Sequence, residues 1–406
     1  MARVLLLTPT TTYRAAAFTH AAQKLGIDLV TGTEEEQPLQ ALQPNHFLTI
    51  DIQNPSRSIP ILQQFIGGHP IDAILGVDET STLAAATLSK ALDHHHNPIS
   101  AVHAARDKHE MRKQFSKEKI PSPLSLLRSL DDKLAQEAER ILYPAILKPL
   151  QLSSSQGVLR VNNPVEFLSA AERIEKILRG KGREILIEEF LSGPEVALEG
   201  LLIGGTLHTL ALFDKPDPLE GPTFEETIYI TPSRFPKSIQ RDVQTIVHQG
   251  CTALGLTEGP IHAEVRITHK GPQIIEIAAR SIGGLCSQTL RFGTGISLEE
   301  IILRHAIGAE IPTLSRESHA AGVMMIPIPR RGILEGVHGR EAALEIPGIE
   351  GVSITTPIGT EIVPLPEGSR YLGFLFARGT TPHAVEMSLR KAHQRLHFEI
   401  RTKDSE

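Results

Sequence analysis

The sequence predicts an α/β protein of 406 residues, long enough for two or three domains that each bury a core. Short apolar strands alternate with helical stretches over residues 4–92, the order of a parallel sheet covered by helices. Strands near residues 261–267 and 273–279 alternate apolar and polar side chains, as in an antiparallel sheet with one buried face. Residues 315–406 predict a further small α/β unit.

The composition excludes several classes of partner. The formal charge of -6 and the 4% aromatic content, without tryptophan, leave no basic surface and few rings for stacking bases, so no nucleic-acid partner is expected. No apolar run is long enough to cross a membrane or to form a signal-peptide core, and we expect a cytoplasmic protein. Cys251 and Cys286 are too few for a disulfide framework or a zinc site, so both are expected to be buried thiols.

The first domain begins with a strand that no nucleotide fingerprint follows. Its turn lacks Gly-x-Gly-x-x-Gly, and the chain contains no Gly-x-x-x-x-Gly-Lys-Ser/Thr, so neither a dinucleotide fingerprint nor a Walker loop is present. Gly26 is placed to end the first helix in the left-handed conformation. A helix over residues 103–119 follows this domain, and the prolines at 121 and 123 end it.

A compact α+β unit comes next. Its predicted elements are a helix at 134–142, strands at 145–148, 158–161 and 185–190, and a helix at 164–178. The loop 150–157 between two of the strands is rich in serine. It can offer backbone N–H and hydroxyl donors to phosphates and can move as a lid, although a solvated turn fits the same composition. Lys148 is expected to point from the strand end with few core contacts.

The most informative pattern is a pair of glutamates on neighbouring strands. If 262–267 pairs with 273–278 across a five-residue turn, Glu264 lies opposite Glu276 with side chains about 5 Å apart. Period-two alternation then sorts the two strands into two faces. The predicted core face holds Ile261, Ala263, Val265, Ile267, Ile275, Ile277 and Ala279. The predicted polar face holds His262, Glu264, Arg266, Glu276 and Arg280.

Directly opposed carboxylates repel each other, so a cation between them is expected, and oxygen ligands favour Mg²⁺ or Mn²⁺. The alternative is an exposed hairpin whose acids pair with Arg266, Lys270 and Arg280. Nearby, Gly283 and Gly284 allow the backbone to approach an anion closely.

Other polar segments leave two interpretations open. Residues 214–227, with Glu225 and Glu226, are predicted to form a long loop that either contacts an amine substrate or is a solvated run of charges. His262 shares the face of Glu264 and is expected either to touch substrate or to make a structural hydrogen bond. A hairpin around 204–205 places Glu195 and Glu199 on one face.

Five motifs in order resemble the ATP-grasp superfamily, most closely the L-amino acid ligase and carnosine-synthase type. The motifs are Arg-Asp-Lys at 106–108, Tyr-Pro-Ala-Ile-Leu-Lys-Pro at 143–149, Glu-Glu-Phe-Leu-Ser-Gly-Pro-Glu at 188–195, His-Ala-Glu at 262–264 and Glu-Ile-Ala-Ala-Arg at 276–280. The resemblance implies a Rossmann-like preATP-grasp domain at 1–104, an ATP-grasp domain at 105–314 with a lid subdomain at about 123–190 and a central antiparallel sheet, and a C-terminal α/β lobe at 315–406.

The same resemblance assigns an ATP site residue by residue. Lys108 and Lys148 match lysines that contact ATP phosphates, and Glu195 matches the acid that binds the ribose hydroxyls. The mobile phosphate lid corresponds to residues 151–157, including Ser153, Ser154, Ser155 and Gly157. The adenine hinge corresponds to Glu188, Glu189, Phe190 and Leu191.

The resemblance also assigns the reacting centre. Glu264 and Glu276 match the magnesium ligands, and Arg280 matches the arginine that steadies the transferred phosphoryl group, so Arg280 and Lys148 are the expected catalytic residues. Substrate contacts are expected from Arg280, Gly283, Gly284, His262 and Glu226. The position two after Glu276, often an asparagine ligand in the superfamily, is Ala278, so a second metal would be held by Glu276 and phosphates.

The implied activity is ATP-dependent ligation of a carboxylate to an amine through an acyl-phosphate, on small amino-acid-like substrates. ATP and Mg²⁺, or Mn²⁺, are the expected cofactors, and a homodimer is left open. Another ATP-grasp enzyme, either a carboxylase or a purine-pathway ligase, would use the same ATP residues. A non-catalytic nucleotide-binding module is the remaining alternative.

Overall fold

A computed structural model describes residues 1–9, 12–37, 40–68 and 70–402. The N-terminal domain has a four-stranded sheet in the order β3-β2-β1-β4, parallel throughout, which confirms the predicted α/β layer. Gly26 ends the first helix at φ 64°, as expected. The elements are β1 Arg3–Leu7, α1 Ala15–Leu25, β2 Asp28–Thr33, β3 Phe47–Thr49, a 3-10 turn Pro55–Ser58, α2 Ile59–Ile66, β4 Ala73–Gly76, α3 Glu79–Ala91 and α4 Ile99–Arg106.

The prediction of a single helix over 103–119 is wrong, because the helix is interrupted at Asp107. Helix α4 ends before this residue and α5, Lys108–Lys117, begins after it. Asp107 is extended, and its carboxylate accepts the N–H groups of His109 and Glu110 at 3.0 and 3.1 Å. The break places Lys108 at the start of α5, where its N–H donates to the Leu150 carbonyl of the next subdomain.

The lid subdomain is an antiparallel sheet in the order β5-β8-β6-β7 under a helix. Its helix predicted at 134–142 is shorter than expected, because the Tyr143 hydroxyl donates to the Ala138 carbonyl where the helix ends. Asn163 caps the longer helix by accepting the N–H of Glu166. The elements are β5 Ser125–Ser129, α6 Leu134–Ala138, β6 Ala145–Pro149, β7 Leu159–Val161, α7 Pro164–Leu178 and β8 Glu184–Glu189.

The central sheet has eight antiparallel strands, in the order β13 (Gly271–Ala278), β12 (Gly259–Thr268), β9 (Glu195–Ile203), β10 (Thr206–Lys215), β11 (Ile228–Thr231), β16 (Ala320–Ile326), β20 (Gly373–Gly379) and β18 (Ile349–Ile354). Its first part and the elements that follow are β9 Glu195–Ile203, β10 Thr206–Lys215, β11 Ile228–Thr231, α8 Lys237–Leu254, β12 Gly259–Thr268, β13 Gly271–Ala278, a 3-10 turn Cys286–Thr289, β14 Arg291–Phe292, β15 Ile296–Ser297 and α9 Leu298–Ala306. Helix α8 packs its apolar face on β10, β12 and β13, so this face of the sheet is core. The opposite face is partly covered by α9 and the 3-10 turn, and the rest of it lines a cavity.

The C-terminal elements extend this sheet instead of forming a detached layer. They are β16 Ala320–Ile326, β17 Gly332–His338, α10 Arg340–Leu344, β18 Ile349–Ile354, β19 Glu361–Ile362, β20 Gly373–Gly379, α11 Pro382–His393 and β21 His397–Arg401. β16, β20 and β18 continue the central sheet, while β19, β17 and β21 form a three-stranded sheet beside it. The boundary predicted near residue 315 lies between α9 and β16, and strands on both sides of it share one sheet.

The predicted pairing of Glu264 with Glu276 is confirmed, but the length of the hairpin turn and the register of the strands differ from the prediction. Thr268 pairs with Gly271, which leaves a two-residue turn instead of the expected five-residue one. A register shift after Glu264 makes Ile275 an extra residue on β13 and restores the predicted pairing. The assignment of Ile275 to the core is therefore wrong: Ile274 is buried there, and Ile275 lines the cavity on the opposite face.

No helix within the described part of the chain is long and apolar enough to cross a membrane.

Both thiols are free and buried, as predicted. Burial raises the pKa of Cys251 to about 12 and also raises the pKa of Cys286. We therefore expect iodoacetamide at pH 8 to label neither thiol of the native protein at an appreciable rate, since the thiolate is the nucleophile. Mass spectrometry of native and urea-unfolded samples checks this, and rapid native labelling of either cysteine would contradict it.

Candidate active site

The lid, the N-terminal domain, the central sheet and the C-terminal strands enclose one cavity that collects the predicted site residues. Among these candidates, all of which the structure describes, Gly157 alone does not line the cavity; its N–H donates to the Pro366 carbonyl. The candidates that line it are Lys108, Lys148, Ser153, Ser154, Ser155, Glu188, Glu189, Phe190, Leu191, Glu195, Glu226, His262, Glu264, Glu276, Arg280, Gly283 and Gly284.

The opposed carboxylates of Glu264 and Glu276 face the cavity, with side chains 24% and 23% exposed. Lys108 Nζ lies 3.5 Å from Glu276, and Lys215 Nζ lies 3.6 Å from Glu264. The arginines that the exposed-hairpin alternative required are engaged elsewhere: Arg266 pairs with Glu195 at 2.9 Å and Arg280 with Glu79 at 3.0 Å.

The donor set of this pair fits a hard divalent cation. Both groups offer carboxylate oxygens, which Mg²⁺ and Mn²⁺ prefer. Burial would raise the pKa of Glu264, but the positive charges of Lys215 and His262 lower it, so the carboxylate is ionised. Glu264 and Glu276 are therefore the residues that could hold a metal between the strands.

His262 lies between two carboxylates, those of Glu199 and Glu264. Its Nδ1 lies 3.1 Å from Glu199 and its Nε2 lies 3.8 Å from Glu264. Burial alone would lower the pKa of His262, but the hydrogen bond to Glu199 and the negative charges of Glu199 and Glu264 raise it to about 9. The imidazolium thus orients Glu264, which is a structural role. Contact between His262 and a substrate stays a prediction.

Lys215 is a site residue that the sequence reasoning missed. It ends β10, whereas residues 214–227 had been predicted to form a loop. Its ammonium pairs with Glu195 at 2.6 Å, with Glu226 and with Glu264. The three carboxylates have oxygens within 4.8 Å of one another, and Lys215 contributes one positive charge to the group. The available signal was the period-two alternation along β10, which places Ala211, Phe213 and Lys215 on one face.

The carboxylates around Lys215 are not equivalent. Burial raises the pKa of Glu226 to about 7 even though Lys215 opposes the shift, and the Tyr229 hydroxyl donates to Glu226 at 2.8 Å. Glu195 meets Lys215 through one oxygen and Arg266 through the other. Glu195 and Glu226 both line the cavity, and the partners just named set the orientation of their carboxylates.

Lys148 is more buried and has more charged partners than predicted. Its side chain is buried, with Nζ 2.6 Å from Glu188, and Arg112 Nε lies 2.8 Å from the other oxygen of the same carboxylate. Burial lowers the pKa of Lys148 although Glu188 opposes the shift. The expectation of few core contacts is therefore wrong, and removal of Lys148 would leave Glu188 paired with Arg112 alone.

The predicted adenine hinge is tied to the lid sheet at two points. Glu189 N–H donates to the Leu124 carbonyl and Phe190 N–H to the Pro144 carbonyl. The guanidinium of Arg160 lies 4.2 Å from the centre of the Phe190 ring, a cation–π contact. These contacts hold the segment rigidly along one wall of the cavity.

Arg280 is held by the N-terminal domain. Glu79, in the first turn of α3, accepts its Nε at 3.0 Å. Arg14 donates to the carbonyls of Ser281 and Ile282, which places the start of the Gly283-Gly284 segment. No sequence signal could have found these partners, because Glu79 and Arg280 are 201 positions apart.

Part of the cavity lining is aromatic. Tyr13 and Tyr371 each meet the edge of Phe374, with ring centroids 5.8 and 6.2 Å apart. Met325 and Cys286 complete the apolar surface there. Three of the four tyrosines in this aromatic-poor chain line the cavity, so the rings are concentrated where a ligand would bind.

Comparisons with known proteins agree with this architecture. Residues 141–289 match the ATP-grasp domain family, residues 19–93 the ATP-grasp N-terminal domain and residues 324–401 the L-amino acid ligase C-terminal domain 2. The chain therefore belongs to the ATP-grasp superfamily. The solved L-amino acid ligase from Bacillus licheniformis superimposes with a TM-score of 0.85 at 23% identity over 99% of both chains.

Named relatives share part of their length with this chain. Dapdiamide A synthase of Enterobacter agglomerans is 31% identical over 53% of this chain and 52% of its own. Alanine–anticapsin ligase of Bacillus subtilis is 25% identical over 50% of this chain and 47% of its own. The chain thus spans about half the length of these relatives. A carboxyaminoimidazole ribonucleotide synthase from Aspergillus clavatus, solved with ATP, shares the fold at a TM-score of 0.74 and 18% identity, covering 97% of this chain and 98% of its own.

Proposed function

We propose that this protein is an ATP-dependent carboxylate–amine ligase that forms an amide or peptide bond through an acyl-phosphate. The observation that carries the proposal is the opposed pair Glu264 and Glu276 facing a cavity with Lys108, Lys215 and Arg280 around it. Two carboxylates and several fixed cations suit a polyphosphate with a divalent metal, because each negative phosphate oxygen needs a nearby positive partner.

The reaction begins when a substrate carboxylate oxygen attacks the γ-phosphorus of ATP. The bond from that phosphorus to the bridging oxygen breaks, ADP leaves, and an acyl-phosphate forms. The amine nitrogen of the second substrate then attacks the acyl carbon, the carbon–oxygen bond to phosphate breaks, and the nitrogen loses a proton. No covalent attachment to the protein is needed.

The residues of this chain supply position and charge to these steps. Glu264 and Glu276 would hold Mg²⁺ or Mn²⁺, and such an ion would supply positive charge to the phosphoryl oxygens. Lys108, 3.5 Å from Glu276, is placed to meet the same phosphates. Lys148, Glu188–Leu191 and Glu195 line the same cavity, which supports their assignment to the phosphates, the adenine and the ribose. Arg280 is fixed by Glu79 where the transferred phosphoryl group would lie.

The aromatic part of the cavity lining supports an amino-acid-like substrate with an apolar side chain. Tyr13, Tyr371 and Phe374 offer ring faces and edges, while Arg280 and Glu226 stand at the polar side of the same cavity. Such a chamber gains free energy by burying apolar surface and would leave a charged side chain without a partner.

The match of residues 324–401 to the L-amino acid ligase C-terminal domain favours ligation over the carboxylase and purine-ligase alternatives. A non-catalytic nucleotide-binding module is disfavoured because Glu264, Glu276 and Arg280 are all present in one cavity. The proposal includes ATP as the substrate and a cytoplasmic location. It leaves a homodimer open.

Hydroxylamine trapping tests the proposal. Purified protein, given Mg-ATP, hydroxylamine and amino acids one at a time, is expected to release ADP without AMP and to form a hydroxamate, most efficiently with apolar side chains. Arg280→Ala should suppress trapping, whereas Arg331→Ala, at an exposed arginine of the C-terminal lobe, should not. AMP and pyrophosphate as products would mean adenylation, and ADP release that requires bicarbonate would favour a carboxylase.

A further inference from the structure

The serine-rich phosphate loop is tied to the C-terminal lobe at its distal end. Gly157 N–H donates to the Pro366 carbonyl at 2.9 Å, and Gln156 Nε2 donates to the Glu367 carbonyl at 2.7 Å. These residues are about half the chain apart in sequence, so the contacts exist only when the lid subdomain lies against the lobe.

A charge pair reinforces the same junction. Arg173, on α7 of the lid, donates through both Nε and Nη2 to the carboxylate of Glu367, with Nη2 at 2.9 Å. The two-point geometry gives direction as well as attraction. Both side chains are 40% or more exposed, so the pair is weak enough to open and close as the lid moves.

The loop needs such a restraint because of its own backbone. Ser154 and Ser155 have φ of 55° and 54°, a left-handed conformation that residues with a Cβ rarely adopt twice in succession. In this conformation Ser153, Ser154 and Ser155 line the cavity. The ties at Gln156 and Gly157 follow the strained residues directly, so they can hold the serines over the cavity.

The partner segment also reaches the aromatic part of the cavity lining. Residues 366–367 bind the phosphate loop, while Ser369 and Tyr371, a few positions further on, line the cavity wall. Tyr371 meets Phe374 in the aromatic chamber. One short stretch of chain therefore touches both the loop over the phosphates and the surface where a substrate side chain would lie.

We propose that Arg173 and Glu367 form a clasp that holds the phosphate loop closed while the activated carboxylate waits for its amine. The clasp residues are positioning residues, and the inference rests on the proposed ligase function. Water attacking the acyl carbon would return the carboxylate and release phosphate, so the net reaction would be ATP hydrolysis without a product. A closed loop denies water that access until the amine attacks.

Coupling between ATP use and amide formation tests the clasp. For the wild type with a productive acid and amine, we expect close to one ADP per amide. Glu367→Gln and Arg173→Gln should each raise the ADP-to-amide ratio several-fold, and the exchanged pair Arg173→Glu with Glu367→Arg should bring it back toward the wild-type value. Arg183→Gln is the matched control, since Arg183 makes exposed ion pairs with Asp131 and Glu175 inside the lid.

A second measurement does not depend on catalysis. Hydrogen exchange at the Gly157 amide, followed by mass spectrometry of the peptide that contains it, should be several-fold faster in Glu367→Gln and Arg173→Gln than in wild type or Arg183→Gln. Unchanged exchange and an unchanged ADP-to-amide ratio in the clasp variants would overturn the inference. If the wild type makes no ADP with any acid and amine, the ligase proposal fails, and the exchange rates alone then decide whether the clasp exists.

Discussion

Replacing Glu276 by glutamine is expected to lower the rate of ADP formation by about 10²- to 10³-fold and to shift the Mg²⁺ dependence to higher concentration, and Glu264→Gln should behave alike. The reason is that each change removes one of two facing carboxylates that share a cation, and a metal contributes several kcal/mol to a phosphoryl transfer. Steady-state assays of ADP release over a range of Mg²⁺ and Mn²⁺ concentrations check both variants.

Stability separates a metal role from a structural one. Glu276 lies opposite Glu264, so the loss of one charge relieves repulsion, and the free energy of unfolding without metal should fall by no more than about 1 kcal/mol. Glu335→Gln, at an exposed strand glutamate of the C-terminal lobe, is the control and should leave ADP formation unchanged. Near-wild-type turnover in either site variant would refute the metal assignment.

Lys215→Met is expected to lower the free energy of unfolding by about 3–5 kcal/mol, because it removes the buried ammonium that Glu195, Glu226 and Glu264 share and leaves only Glu195 with a buried arginine partner, Arg266. Methionine preserves the length of the side chain, so the loss reflects charge more than volume. Urea unfolding followed by circular dichroism measures it.

The same variant should acquire a response to cations. With the ammonium removed, three carboxylate oxygens within 4.8 Å of one another resemble a cation site, so millimolar Mn²⁺ or Mg²⁺ should restore part of the lost stability. Lys237→Met, at an exposed lysine that starts α8, should lose no stability, and its gain from the metal should be no larger than that of the wild type. A loss below about 1 kcal/mol for Lys215→Met would show that the three carboxylates do not depend on this lysine.

Local patterns predicted the part of the site that lies within one hairpin. Alternation with period two placed Glu264 and Glu276 on the ligand face, and the observed register agrees. The same reasoning failed at Ile275, since a bulge moves one residue to the opposite face without leaving a distinctive signal in composition. It also failed at Asp107, whose side chain competes with the helix for backbone N–H groups.

By itself the sequence determined the α/β class, the order of the motifs and the face on which the paired carboxylates lie, because these depend on periodicity and on neighbours a few positions apart. The tertiary structure alone decided which charges meet: Lys215 with three glutamates, Arg280 with Glu79, and Arg173 with Glu367. The physical reason is that ion pairs and loop contacts between distant segments arise from how whole elements pack, and spacing along the chain carries no record of that packing.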